Sequence, residues 1–287
     1  MTRKTPLISI MMNCYNGEQY LEQAIQSVIA QTYSQWEIIF WDNNSTDNSA
    51  NIVHSFNDSR IHYFKSKEHT NLGTAKNMAL KKVDTQWLAF LDVDDFWEKD
   101  KLEKQVEIIK KDDGLIGLIY GRCNVLYEND QMRVETYKKG SNLPNGYIFD
   151  DLLYENFIPF ATTIVNTEKF IETGAFSDEL SHSTDYQMFL NLTAKYKVEV
   201  TQDICATVRK HSNNLTKQLR IKAANEVIEI VSSFFPYPKA VKATNHHKAS
   251  LAIAYLREKR VKDFIYSVNN LSIVKILISR ILSKIKE

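Results

Sequence analysis

The chain has 287 residues, of which 44% are hydrophobic and 25% charged, with only eight glycines and five prolines. This composition belongs to a globular protein with a substantial core and excludes disordered and collagen-like classes. Lysine and arginine number 36 against 35 acids, a net charge of +1, so the overall balance offers no nucleic-acid footprint.

Cys14, Cys123 and Cys205 lie far apart in no C-x-x-C pair, which suggests neither a disulfide framework nor a zinc site and fits a reducing cytoplasm. The basic start and the apolar run Leu7–Met12 are too short for a signal peptide, lack a cleavage site and stop at Asn13. No stretch of about 18 uninterrupted apolar residues occurs, so the reading is a soluble or peripheral protein.

Leu7–Met12 is the kind of continuous apolar run expected of a strand buried on both faces of a parallel sheet. Leu21, Ala24, Ile25, Val28 and Ile29 then recur at helical spacing, and Glu37–Trp41 supplies a second strand. Ser45-Thr46-Asp47 is placed to cap the next helix, Ile61–Phe64 reads as a strand and Asn71–Lys82 as a helix. Trp87–Leu91 is a fourth strand that ends in Asp92-Val93-Asp94-Asp95, and a helix over Lys99–Lys111 follows. Repeated units of this length predict an α/β fold whose ligands sit at the carboxyl ends of the strands. From Gly114 to about Lys139 the pattern is strand-like, and Ala161–Val165 and Ala206–Arg209 read as strands around an amphipathic helix over Asp185–Tyr196. After about Lys217 the pattern is helical throughout, which predicts an α/β domain over 1–217, divided near 112, and a helical appendage over 218–287.

Three carboxylates within four residues at a strand end repel one another, and a bound divalent cation is their natural compensation. Magnesium or manganese suits such oxygen ligands and would complete its shell with phosphate oxygens, which points to a nucleotide diphosphate. The alternative is that Asp94 and Asp95 cap the following helix. The second polar cluster, Asp42 to Asp47, stands at another strand end; it reads either as a contact to base or ribose or as a turn with a capping motif.

Residues 6–95 resemble the nucleotide-binding half of family 2 glycosyltransferases, which have the GT-A fold. The similarity lies in PLISIMMNCYNGEQYLEQAIQSVIAQT, WDNNSTDNS, NLGTAKNMAL and LAFLDVDD, in family order. FIPFATTIVNTEKFIETGAFSDELSHSTDYQMFLNL resembles the family's acceptor-side segment and VRKHSNNLT its closing loop, so the likeness spans roughly residues 6–217. It implies a GT-A-type nucleotide-binding fold with a mixed, largely parallel central sheet flanked by helices.

The same resemblance implies roles for individual residues. The backbone around Asn13 and Tyr15, with Asp42 and Asn43, would hold the nucleoside, and Lys76 would lie near the donor phosphates. Asp92, Asp94 and Asp95 would hold ribose and the metal-diphosphate, Asp185 would be the catalytic base, and Arg209 with His211 would close over the donor. The family often has Pro, Asp and Glu where Asn13, Asn43 and Thr184 stand here; Asn43 keeps an amide oxygen able to accept from a uracil N–H. The Q-x-x-R-W motif of processive synthases is absent, since no Trp follows Trp97.

The activity so implied is inverting, metal-dependent transfer of one sugar from a nucleotide-diphosphate sugar, a UDP-sugar by preference, to a glycan or lipid-linked acceptor in cell-surface polysaccharide or lipopolysaccharide synthesis. Two other classes stand beside it: a sugar-phosphate nucleotidyltransferase, whose Gly-rich basic loop is missing after the first strand, and a nucleotide-sugar-binding module without catalysis. His246-His247 matches no motif and reads as solvated surface. The helix from about Leu271 puts Val274, Leu277, Ile278, Ile281, Leu282 and Ile285 on one face; it would either touch a membrane surface, at the inner face of the cytoplasmic membrane, or a lipid-linked acceptor, or dock on its own catalytic domain.

Overall fold

A computed structural model describes residues 8–128, 132–211 and 220–268, together with 273, 274 and 276. The first half follows the predicted alternation: β1 (Ile8–Cys14), α1 (Glu18–Ile29), β2 (Trp36–Asp42), α2 (Ser49–Ser55), β3 (Ile61–Lys65), α3 (Leu72–Leu80) and β4 (Trp87–Phe90). Strand β1 lies between β2 and β4, parallel to both, with Cys14 opposite Asp42 and Met11 opposite Phe90. The carboxyl ends of all three strands therefore meet at one edge. That edge carries Asn13, Asn43 and the 92–95 acids.

The second half turns the sheet into a mixed one. Here follow β5 (Phe96–Trp97), α4 (Lys101–Ile109), β6 (Ile116–Tyr127), β7 (Arg133–Thr136), α5 (Phe149–Leu152), β8 (Ile164–Asn166), α6 (Thr167–Glu172), α7 (Thr184–Thr193) and β9 (Lys197–Lys210). Among the described residues the sheet has nine strands in the order β3-β2-β1-β4-β8-β6-β9-β5, with β7 beside β6. Strand β8 runs antiparallel to both β4 and β6, whereas β6 and β9 are parallel. The two-residue β5 exists through its pairing with β9, which no local pattern announces. The strand predicted over Ala161–Val165 is a 3₁₀ turn over Phe160–Thr162 followed by β8. There Thr162 and Thr163 hydroxyls bond back to the carbonyls of Pro159 and Phe160, a local alternative to strand pairing.

Alternation along the buried strands divides the core between the two faces of the sheet. Ile8, Ile10 and Met12 of β1 pack with Trp87, Ala89 and Leu91 against α1 and α4. On the other face Met11, Leu88 and Phe90 pack with α3, α6 and α7.

The helical region begins with α8 (Arg220–Ser232) and α9 (Pro238–Arg257), followed by α10 (Val261–Ser267). Ile230, Val231, Ala240 and Ala243 belong to the same apolar cluster as α3 and α7, so α8 and α9 are built into the core rather than appended to it. The histidine pair is not solvated surface: both rings are half-buried, and His247 Nε2–H donates to the Leu153 carbonyl oxygen at 2.8 Å. Most of the helix expected from Leu271 lies outside the described residues; Ile273 and Ile276 pack with Ala249, Ala252 and Phe264. Among the described residues no helix is long and apolar enough to cross a membrane.

Candidate active site

The acidic loop after β4 opens into a cleft of about 280 Å³ whose walls include Asp92, Asp95, Asp185, Tyr137, Asn156 and Lys210. Asp185 enters from the first turn of α7, a different element from the 92–95 loop. Asp94 and Asp95 do not cap the next helix, because α4 starts only at Lys101 with Asp100 before it. The capping alternative is thereby removed; Asp95 stands with Asp92 in the cleft wall, and Asp94 turns to His211.

Lys76 links the two sides. It projects from α3, is 5% exposed, and its Nζ lies 3.5 Å from Thr184 Oγ1 and over the rings of Phe160 and Phe176 at 4.1 and 5.1 Å. Burial pulls the Lys76 ammonium below its ordinary range, opposed by the charges of Asp92 and Asp185. Burial pushes the Asp92 carboxyl up to about 6, with Lys76 opposing and Asp94 and Asp185 adding to the rise. Asp95, 6% exposed, is raised well above the carboxylate range by burial and by Asp94 and Asp92. One of its oxygens accepts the Arg209 backbone N–H at 2.9 Å.

Arg209 is a clamp inside the protein. It is 5% exposed; its guanidinium donates to the Asp94 carbonyl, Glu128 Oε1 and Gln23 Oε1 at 2.9, 2.8 and 2.6 Å and stacks on Tyr20. The Tyr20 hydroxyl in turn donates to Glu128, and burial together with that bond pushes the phenol up to about 12. The clamp fixes the backbone of the acidic loop, and it brings His211 with it. His211 Nε2 lies 3.1 Å from Asp94 Oδ2, and its ring packs on Tyr20.

The second polar cluster is a joint between loops. Asp42 is fully buried: Oδ1 accepts the Ser45 N–H at 2.6 Å and Oδ2 the Tyr63 hydroxyl at 2.5 Å, so both of its oxygens are engaged within the fold. Asn43, 5% exposed, spends its amide on Thr70: Oδ1 accepts the Thr70 N–H and hydroxyl at 3.1 and 3.0 Å, and Nδ2 donates to the Thr70 carbonyl at 2.8 Å. Both lone pairs expected to meet a uracil N–H are taken. Asp47 accepts the N–H groups of Glu18 and Ser49, each at 3.0 Å, tying α1 to α2.

Two further groups stand at this edge. Asn13 Nδ2 is buried with no hydrogen-bond partner, which is costly in a folded protein unless a ligand completes it. Tyr15 is 50% exposed, with its ring packed on His69 at 4.0 Å between centroids. His69, Glu128, Gln23 and Tyr20 were not singled out from sequence. They are ordinary polar residues whose partners lie distant in the chain, and no local spacing marks them.

The geometry can be compared with known proteins. Residues 9–171 match the family model described as glycosyl transferase family 2. The chain belongs to glycosyltransferase family 2. The enzyme is 30% identical over 234 residues to an uncharacterized glycosyltransferase of Rickettsia felis, a match covering 80% of this chain and 38% of that protein, so it spans well under half of that relative. It is 28% identical over 232 residues to the putative teichuronic acid biosynthesis glycosyltransferase TuaG of Bacillus subtilis, 79% of this chain and 87% of the other. Identity is 27% over 236 residues to the UDP-Glc:alpha-D-GlcNAc-diphosphoundecaprenol beta-1,3-glucosyltransferase WfgD of Escherichia coli, covering 82% and 88%. This family 2 glycosyltransferase thus has one relative named for teichuronic acid biosynthesis and another named for glucosyl transfer to a GlcNAc-diphosphoundecaprenol.

Two solved structures share the GT-A architecture. Residues 1–349 of TarS from S. aureus in complex with UDP-GlcNAc align with a TM-score of 0.65 at 17% identity, over 95% of this chain and 78% of the other. The mannosyltransferase PcManGT from Pyrobaculum calidifontis, in complex with GDP-Man and Mn2+, aligns with a TM-score of 0.66 at 14% identity, over 98% and 81%.

Proposed function

We propose that this glycosyltransferase moves a single sugar, with inversion, from a UDP-sugar to a hydroxyl of a glycan or lipid-linked acceptor during cell-surface polysaccharide or lipopolysaccharide assembly, and that it does so in the cytoplasm. The observation that carries the reading is the convergence of Asp92 and Asp185 on one cleft, from segments about ninety residues apart in the chain, with Lys76 buried between them. The preference for UDP rests on relatives: WfgD is named for UDP-Glc, and TarS holds UDP-GlcNAc. The three free cysteines are all buried, in keeping with a reducing compartment.

Asp185 takes the proton of the acceptor hydroxyl as its oxygen bonds to the anomeric carbon, and the bond from that carbon to the diphosphate oxygen breaks on the opposite face. The base carries about a hundred- to ten-thousand-fold of the rate in such steps. Tyr15 offers its exposed face to the base, and Asn13 Nδ2 donates to an oxygen of base or ribose. Asn43 and Asp42 act behind them by holding the loops in place.

Among the described residues no three His, Cys, Asp or Glu side chains are already gathered into a metal cage, but Asp94 and His211 meet. A carboxylate beside an imidazole would suit manganese better than magnesium, which prefers an all-oxygen shell. Asp94 and His211 would hold the ion, which supplies neutralisation of the leaving diphosphate.

The test is nucleoside diphosphate release from a panel of UDP-glucose, UDP-galactose, UDP-N-acetylglucosamine and GDP-mannose, with manganese and alkyl glycoside acceptors. Turnover with a UDP-sugar, lost by at least a hundred-fold in Asp185→Asn with donor affinity unchanged, is the expected result. Pyrophosphate formation from a nucleoside triphosphate, or parental turnover in Asp185→Asn, overturns the reading.

A further inference from the structure

Glu226 stands on the apolar side of α8, where Ile230 follows one turn later, and is 6% exposed. A carboxylate in such a place is costly unless donors answer its charge. They come from the segment that leads into α7. The Ser181 N–H and hydroxyl donate to Oε1 at 2.9 and 2.6 Å, and the N–H groups of His182 and Ser183 donate to Oε2 at 3.1 and 2.9 Å. Burial by itself would push the Glu226 carboxyl up; the Ser181 hydroxyl and the three N–H groups outweigh it and hold the group below the usual glutamate range.

Ser183 is the residue just before α7, and its own side chain makes no capping bond. A long-range carboxylate therefore gathers backbone groups at an entry that a local cap would otherwise serve. Thr184, the next residue, meets Lys76, and Asp185 follows it.

We propose that Glu226 is a positioning residue for sugar transfer: by collecting the four donors of residues 181–183 it sets the start of α7 and hence the place of the Asp185 carboxylate in the cleft. The helical region then serves the reaction directly, from a residue that touches neither donor nor acceptor. The inference rests on the reading of Asp185 as the base.

The experiment compares Glu226→Gln, Asp185→Asn and the double variant in the full-length chain, using UDP release from the fastest UDP-sugar of the panel above. Glutamine turns an amide NH₂ toward groups that are themselves donors, so at least one side of the grip is lost. A displacement of about 1 Å at a reacting group can cost about a hundred-fold. The expected result is kcat lower by about 10- to 100-fold in Glu226→Gln, with UDP affinity within about two-fold of the parent by the same scale of effects.

In the Asp185→Asn background the same change should alter the residual rate by less than about two-fold, because its effect passes through the missing base. A merely structural role would lower the melting temperature and the folded fraction but leave kcat per UDP-binding molecule at the parental value, and that result overturns the proposal. So does an equal loss in both backgrounds. Should Glu226→Gln fail to fold, Ser181→Ala, which removes only the hydroxyl contact, decides by the same split: lower kcat at unchanged UDP affinity supports the proposal, and unchanged kcat overturns it. Parental turnover in Asp185→Asn would sink the base reading instead, whereas an inert Asp185→Asn beside a fully active Glu226→Gln sinks only the role of Glu226.

Discussion

Gly73→Ala is the sharpest test of how the donor and acceptor halves are joined. Gly73 lies in the first turn of α3, and a Cβ added there would sit 1.8 Å from the Ser177 carbonyl oxygen and 2.8 Å from its carbon. An ordinary C···O contact is about 3.3 Å or longer, so the backbone of residues 177–178 must retreat by roughly 1.5 Å. That loop is not free to move: Asn71 Nδ2 donates to the Asp178 carbonyl at 2.7 Å, and Asn77 Nδ2 to the Phe176 carbonyl at 2.7 Å and to Asp178 Oδ1 at 2.9 Å.

Loss or strain of these three bonds costs about 1 kcal/mol each, and overpacking adds about 1–3 kcal/mol. Alanine returns up to about 1 kcal/mol through its helix propensity. The net expectation is a loss of about 3–5 kcal/mol, or a fall of roughly 6–20 °C in Tm for a chain of this size, read by thermal and urea unfolding. Transfer should fall as well, since Lys76 lies on the same helix and the Phe176 ring is against it. A variant that melts within about 1 °C of the parent, where the size scaling predicts several degrees, would show that the loop yields and would refute the reasoning.

Asp42→Asn should lower stability by about 1–3 kcal/mol, because one of the two buried oxygens that accept from Ser45 and Tyr63 becomes an NH₂ donor, while UDP affinity by calorimetry stays at the parental value; weaker UDP binding at unchanged Tm would make Asp42 a donor-site residue. Asp94→Asn should weaken manganese-supported UDP binding by roughly ten-fold or more while leaving binding in EDTA unchanged, since it would take the charge from one of the two side chains proposed to hold the ion; the same loss with and without metal would refute that role. Lys101 is fully buried beside Gln105 and the Trp97 ring, and burial pulls its ammonium down to about 7. Above that pH the folded protein has released the proton while the unfolded chain, with its lysine near about 10.4, still holds it. Stability should therefore rise with pH between these two values. Lys101→Met should flatten that rise in urea titrations, and equal slopes in parent and variant would remove Lys101 as its source.

The apolar runs at the start of β1, β2 and β4, and the helical spacing of Leu21 to Ile29, are legible in the sequence because strand and helix periodicity are local and both faces of these strands are buried. The motif order that marks family 2 is legible for the same reason: each motif is a loop at the end of one such element. What each polar residue does within those loops was decided only in three dimensions. Asp42 and Asp92 stand at equivalent strand ends, yet Tyr63 and Ser45 enclose one while the other faces the cleft. Arg209 carries a charge that suits a phosphate, but Glu128, Gln23 and the Asp94 carbonyl reach it first. A glycine at position 73 is explained by the Ser177 backbone about a hundred residues away, and a glutamate on the apolar face of α8 by the Ser181–Ser183 amides. An apolar side chain needs only to leave water, so its pattern along the chain suffices to place it. A polar one needs a specific partner at hydrogen-bond distance, and which partner arrives is determined by the packing of distant segments.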